Sequence, residues 1–249
     1  MNTKFKDYFS ENSQEYDRFR PTYSEDLFSY LSSLSIQHQQ AWDCATGTGQ
    51  SAIALSEYYA SVIATDASET QINNTQKKHG ITYQIATAEN SHIEACSIDL
   101  ITVAQALHWF NIDTFSKEVN RVLKDKGILA VWSYNLLSVQ DDIDKEISYL
   151  YNTILGEYWP EERRMVEDGY KSVQLLFKEI ETPSFTMSAN WDLSQLIGYL
   201  CTWSATKEYQ KEFGVNPVEK VYDRIAEIWG EPEKVLSIQW PLNIRLWQK

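Results

Sequence analysis

Three stretches of this 249-residue chain carry residue types at spacings suited to chemistry. In the first, Asp43-Cys44-Ala45-Thr46-Gly47-Thr48-Gly49-Gln50, an apolar run ends in a carboxylate and passes through a Gly-x-Gly turn into the amphipathic segment 51–59. Gly47 and Gly49 lack Cβ, so the main chain can turn sharply there and a ligand can lie directly against it. A helix opening near Gln50 points free N–H groups at that turn. In the second stretch, Ser61-Val62-Ile63-Ala64-Thr65-Asp66, a strand-like run ends in a carboxylate able to accept both hydrogen bonds of a ribose diol. The third, Gln105-Ala106-Leu107-His108-Trp109-Phe110, sets a histidine beside an aromatic at the end of an apolar run, a pairing fit for proton transfer or hydrogen bonding next to a stacking surface.

Two cofactor classes use the first two stretches. Gly47-x-Gly49-x-x-Ala52 matches the dinucleotide fingerprint with Ala in the last place, which admits NAD. Asp43 argues the other way, because a carboxylate just before the loop suits a cationic ligand, or a loop whose N–H groups need an acceptor, better than a pyrophosphate. Asp66 serves NAD and adenosyl cofactors alike.

The elements that must position these residues alternate. Ser24 is placed to cap a helix with Leu27, Phe28, Leu31 and Leu34 on one face. Strands are expected near 41–45, 61–66, 81–88, 98–104 and 128–132. Between them come a polar helix capped by Ser68 and stopping at Gly80, and a helix over 113–123 with Phe115, Val119, Val122 and Leu123 at core spacing. The run 98–104 is apolar almost throughout, as in a strand buried on both faces. Such alternation predicts an α/β fold, a doubly wound parallel sheet whose ligands bind beyond the carboxyl ends of the strands, where Asp66, Glu89 and Gln105–Trp109 all fall. From 136 to 180 the alternation stops, and two helices, over 141–156 and 161–180, read as a cap. A strand over 185–191, a helix from Asp192 to Trp203, another opening at Pro217, and a long β segment over 235–247 close the chain. The expected organisation is an N-terminal helical arm or lid (1–36), a cofactor-binding Rossmann-like core (37–135), a helical cap insertion (136–183) and a sheet-completing part of the core (184–249).

Composition bounds the partners. Lys plus Arg number 22 against 35 Asp plus Glu, a formal charge of −13, which disfavours nucleic acid because such binding needs a cationic footprint. No segment approaches membrane-spanning length and the start lacks the apolar run of a signal peptide, so a cytoplasmic protein is expected. Three scattered cysteines, Cys44, Cys96 and Cys201, suggest neither a disulfide framework nor a metal site.

With these stretches in hand, the chain resembles the class I S-adenosylmethionine-dependent methyltransferases, and within them the branch around trans-aconitate methyltransferase. The resemblance is carried by Arg20-Pro21-Thr22-Tyr23, the loop 43–50, Asp66-Ala67-Ser68, Ala88-Glu89, the run 104–110, Arg121-Val122-Leu123-Lys124 and Tyr199-Leu200-Cys201-Thr202-Trp203-Ser204. It implies a seven-stranded, mostly parallel sheet with an antiparallel last strand. It also implies S-adenosylmethionine as cofactor, a small-molecule acceptor and no metal. Asp43, Ala45, Gly47, Thr48 and Gly49 would line the methionine end, Asp66 would hold the ribose hydroxyls and Ala67 would pack on adenine. Ala88 and Glu89 would edge the adenine, Gln105–Ala106 would pass beneath the sulfonium, and Tyr16, Arg20 and Tyr23 would close over the cofactor. Ala45 stands where the family usually has its first glycine. Alanine is expected to adopt ordinary backbone angles there, which would leave binding intact.

On the acceptor side the candidates are His108, the one histidine placed to serve, and Trp109, with Tyr23, Trp159, Tyr199 and Trp203 around the substrate. His108 is read first as a substrate hydrogen-bonding group, with general base or a structural role as alternatives. Lone aromatics at helical spacing are more often core than ligand contacts. The acceptor is expected to be an organic acid giving a methyl ester. The alternatives are an NAD-dependent oxidoreductase and a non-catalytic S-adenosylmethionine-binding module. Oligomeric state is not expressed in the sequence.

Overall fold

Apolar runs bounded by turn residues become the strands of one sheet in the computed structural model, which describes residue 19 and residues 21–249. After helix α1 (Glu25–Ser33) come β1 (Gln40–Cys44), α2 (Gln50–Leu55), β2 (Ser61–Asp66), α3 (Glu69–Asn73), β3 (Ile81–Ile85), β4 (Ile98–Ala104), α4 (Ile112–Val122) and β5 (Leu123–Tyr134). Then follow α5 (Asp141–Tyr149), α6 (Arg163–Glu167), β6 (Lys178–Ile180), β7 (Phe185–Trp191), α7 (Leu193–Cys201), α8 (Ser204–Phe213), α9 (Glu219–Trp229) and β8 (Leu236–Gln248).

The strand order is β3-β2-β1-β4-β5-β8-β6, with β7 pairing β8 beside β6. β1 pairs in parallel with β2 (Cys44 opposite Thr65) and with β4 (Cys44 opposite Val103), so the ends of β1, β2 and β4 lie side by side. That is the reversal point of a doubly wound sheet, where a crevice opens beyond the strand ends. β8 runs antiparallel to β5, β6 and β7. Pro241, opposite Thr186, falls where β8 leaves β5, so its missing N–H costs no bond on that side. The sheet has eight strands, one more than expected, the addition being the short β6.

Both faces are covered. Trp42, Trp132, Trp240 and Trp247 are all essentially buried, and side chains of this size contribute about 2–3 kcal/mol each on leaving water. α4 shows why its residues form a helix against this sheet. Asn111 accepts the Thr114 amide at 3.0 Å as the cap, and Phe115, Val119 and Val122 recur on one buried stripe.

Several expectations are corrected. The helix after Ser68 ends at Asn73 and not at Gly80, because the following Asn-Thr-Gln-Lys-Lys-His offers no large apolar residue to bury. The helix expected over 161–180 shrinks to α6. Gly169 (φ +66°) and Tyr170 (φ +61°) are both left-handed, and consecutive left-handed residues cannot continue a right-handed helix. Residues 178–180 join the sheet instead, Ile180 opposite Leu246. α8, ended by Gly214 at φ +72°, was not anticipated. No helix among the described residues is long and apolar enough to cross a membrane.

Candidate active site

The crevice is built from loops that leave β1, β2 and β4. Gly47 (φ +56°) and Gly49 (φ +94°) hold left-handed conformations. A Cβ on Gly47 would meet nothing within 4 Å, so the backbone there faces open space, whereas one on Gly49 would strike the Tyr83 hydroxyl at 2.9 Å. Ala45 is left-handed as well, at φ +55°, which corrects the expectation of ordinary angles at this position. The conformation is the one glycine adopts freely, and Ala45 holds it against a steric cost. On the neighbouring loop Gln105 does the same at φ +54°, pinned by its amide to the Trp132 carbonyl (2.9 Å) and by its side chain to the Tyr134 carbonyl (3.1 Å). Backbone strain of this kind persists where the surroundings over-determine it, commonly at ligand sites.

Asp43 is buried beneath the glycine loop. One carboxylate oxygen accepts the Thr46 hydroxyl (2.5 Å) and the other the Thr102 hydroxyl (2.7 Å), which ties the loop to β4. Burial pushes its pKa up to about 6, against the lowering effect of Thr46, Thr102 and the Ala52 amide. At 1 % exposure Asp43 anchors the loop and does not itself face the crevice. Asp66 is half-exposed at the end of β2. It accepts the Gly47 amide at 2.9 Å on one oxygen and the Ser68 amide at 2.9 Å on the other. A carboxylate has about four lone-pair sites and can accept from more than two donors.

Of the other predicted cofactor residues, Ala67 is half-buried beside Asp66, and Ala88 is buried. Glu89 is committed in part to the Asn111 amide (2.9 Å). Thr48 is half-buried in the loop and Ala106 buried after Gln105. Tyr16 and Arg20 lie outside the described residues. Open space over Gly47, a half-exposed carboxylate at its edge and a small apolar shelf at Ala67 fit a nucleoside whose tail follows the glycine loop.

On the acceptor side, residues far apart in sequence converge. His108 and Trp109 sit on a short turn of helix, Leu107–Trp109, directly after Gln105–Ala106. His108 Nδ1 lies 2.9 Å from the hydroxyl of Tyr170, which is fully buried. Burial, and then the positive charge of Arg163, hold the His108 pKa down to about 3, so the imidazole is neutral at physiological pH. Burial raises the Tyr170 phenol well above its usual range.

Arg163 donates from Nε to the Tyr151 hydroxyl at 2.9 Å and lies over the rings of Trp159 (5.0 Å) and Tyr151 (5.6 Å). No carboxylate among the described residues forms an ion pair with it. Trp159, Trp203 and Tyr199 form one aromatic stack with Tyr151, at ring separations of 4.5–6.0 Å. Trp203 and Tyr199 are buried within it, and Trp159 is half-exposed. Tyr23 stands apart, edge-on to Trp132 at 5.3 Å.

Tyr170 and Arg163 were not anticipated, since both fell inside an expected helix. The Asp168-Gly169 pair, a turn signal within a run read as helical, was the available hint. A second concavity, lined by Ile36, Gln37, Cys96, Asp99, Lys124 and Gly127, opens at the opposite, amino-terminal ends of the strands. Its buried carboxylate, Asp99, is already occupied by the Gln39 and Gln40 amides and by Lys124. Among the described residues no cluster of His, Cys, Asp and Glu is placed to hold a metal ion.

Known proteins resemble this chain in sequence and fold. Residues 42–131 match the family described as a methyltransferase domain. A candidate methyltransferase of Dictyostelium discoideum is 30% identical over 254 residues, covering 99% of this chain and 97% of that one. A Saccharomyces cerevisiae protein named for S-adenosylmethionine-dependent methyl transfer is 26% identical over 51% of this chain and 47% of its own length. Among solved structures, a candidate type II methyltransferase from Anaeromyxobacter dehalogenans is 34% identical and superposes with a TM-score of 0.87, covering 92% of this chain and 97% of that one.

Proposed function

Because the chain belongs to the class I S-adenosylmethionine-dependent methyltransferases, with S-adenosylmethionine as its cofactor, we propose that its acceptor is a small organic acid and its product a methyl ester. The cofactor supplies an electrophilic methyl group on a sulfonium. The rest falls to the protein: to bind both reactants, to exclude water and to hold the acceptor atom at ~3–3.5 Å in line with the bond that breaks.

The carrying observation is the state of His108. A hydroxyl or a protonated amine must give up a proton to become the nucleophile, and a histidine held down to about 3 by burial and the Arg163 charge is a poor base for it at neutral pH. A carboxylate is already ionised and needs none. Arg163, with no carboxylate partner among the described residues, favours an anionic ligand on the same side. In this assignment Asp66 holds the ribose, Ala67, Ala88 and Glu89 edge the adenine, and Ala45, Gly47, Thr48 and Gly49 follow the methionine end. Asp43 acts by anchoring that loop. His108, Trp109 and Trp159 meet the acceptor, while Tyr199 and Trp203 back them from within the aromatic stack. A net charge of −13 disfavours nucleic acid in the acceptor's place.

The test is transfer of a radiolabelled methyl group to a panel of small carboxylic acids, alcohols and amines. Label released as methanol by mild base identifies a methyl ester and is the expected result. Transfer confined to alcohols or amines would overturn the acid assignment while leaving methyl transfer intact.

A further inference from the structure

The hydrogen bond between His108 and Tyr170 settles more than an orientation. We propose that Tyr170 is a positioning residue that locks His108 as the Nε2–H tautomer, so that His108 presents a fixed hydrogen-bond donor to the acceptor acid and never serves as its base. This rests on the acid-methylating reading for the identity of the acceptor, but the lock itself is a property of the protein alone.

The argument is one of proton accounting. The Tyr170 hydroxyl is buried, and His108 Nδ1 lies 2.9 Å from it, placed to accept its proton. A buried phenol must place its O–H on an acceptor, and Nδ1 is the acceptor available. Were Nδ1 protonated and donating instead, the Tyr170 O–H would be buried without a partner, which is the costlier arrangement. The amides of Leu107 and His108 also favour negative charge on the phenolic oxygen, which leaves its proton directed at the imidazole. With Nδ1 accepting, a neutral ring carries its proton on Nε2. No hydrogen bond among the described residues occupies Nε2, and the ring is half-exposed.

The lock is braced from behind. Tyr170 holds a left-handed backbone at φ +61°, unusual for an aromatic residue. Its carbonyl accepts a bond from Arg245 Nη1, which also takes the Val173 carbonyl at 2.7 Å. Arg245 is fixed in turn by two bonds to Glu179, at 2.8 and 2.9 Å, and by its position over the Trp247 ring. A rigid strand residue thus fixes the strained residue that fixes the imidazole.

The groups facing His108 are the Tyr170 phenol from the loop after α6, the Arg163 guanidinium from α6 and the indole of Trp109 on its own turn. None of them is an acid that would draw a second proton onto the ring. His108 therefore stays neutral and keeps one tautomer across the pH range in which the acceptor acid is ionised. Acceptance of a hydrogen bond by the acid from Nε2–H orients it without removing its charge.

The experiment is long-range 1H–15N correlation of the histidine rings in the full-length protein, with His108 assigned by subtraction in His108→Gln. The expected spectrum shows His108 with Nε2 protonated and Nδ1 bare, unchanged between pH 8 and pH 5. In Tyr170→Phe, the same ring is expected to show both tautomers while remaining neutral, because burial and Arg163 are unchanged. An Nδ1–H tautomer in the wild type, double protonation near pH 6, or a tautomer unmoved by Tyr170→Phe would each overturn the lock. Should Tyr170→Phe fail to fold, the wild-type spectrum alone decides. In the activity arm, His108→Gln, which retains an N–H donor, is expected to raise KM for the acid severalfold with a smaller change in kcat and a flat pH profile. Loss of S-adenosylhomocysteine binding in a calorimetric titration of the wild type would instead count against the cofactor site and would not touch the tautomer result.

Discussion

The Gly47 amide donates to the Asp66 carboxylate at 2.9 Å, joining the turn after β1 to the end of β2 across the floor of the crevice. Two motifs that local sequence defines separately are thereby one structural unit, and the acid is held at the edge of the glycine turn.

Asp66→Ala removes both that brace and the acceptors that the proposed function assigns to the ribose diol. S-adenosylhomocysteine affinity measured by calorimetry is expected to fall at least about tenfold, or ~1.4 kcal/mol. Folding stability should fall by only about 1 kcal/mol, because Asp66 is half-exposed and its amide partners can turn to water. Unchanged affinity would mean that the nucleoside does not lie on this residue.

Ala45 offers the opposite sign. Relief of its left-handed conformation by Ala45→Gly is expected to stabilise the protein by roughly 0.5–1 kcal/mol, the strain removed exceeding the extra freedom given to the unfolded chain. Denaturant midpoints with a constant m-value would report it. A destabilised variant would show that Ala45 contributes packing that outweighs its backbone.

Asp43 makes a prediction about pH. Its folded pKa, raised from 3.8 to about 6 by burial, means that the native state holds this proton more tightly than the unfolded one. Its contribution is therefore neutral below pH ~4, becomes increasingly destabilising as pH rises from about 4 to 6, and is constant above that. Asp43→Asn removes the titration. The difference in stability between variant and wild type should shift toward the variant over that window, by on the order of 3 kcal/mol, and then level off. A difference that stays flat from pH 4 to 7 would contradict the raised value.

Arg245→Met keeps an apolar body over Trp247 but gives up the bonds to the Tyr170 and Val173 carbonyls. A loss of about 2–3 kcal/mol is expected from two under-satisfied carbonyls and an unpaired Glu179. Thermal unfolding would show the loss, and His108 in the same sample should lose its single tautomer. An unshifted melting temperature would leave Arg245 a surface ion pair.

Much of this molecule was legible in the sequence, for a physical reason. A strand, a glycine turn, a helix and a strand ending in an acid depend on hydrophobic period, Cβ sterics and capping, all of which act between near neighbours. The glycine turn at Gly47 and Gly49, the strand carrying Asp43, the strand ending at Asp66 and the turn after β4 were legible in that way, as were β4, α4 and β8. What failed locally was the stretch 161–180, whose composition reads as helix while Gly169 and Tyr170 turn left-handed and β6 joins a strand formed near the end of the chain. The state of the site was decided only by tertiary structure. Residues 62 positions apart meet to set the His108 proton, Arg163 charges that side, and burial lifts Asp43 toward neutrality. Protonation and tautomer depend on desolvation and on hydrogen-bond partners, and neither exists until distant segments pack together.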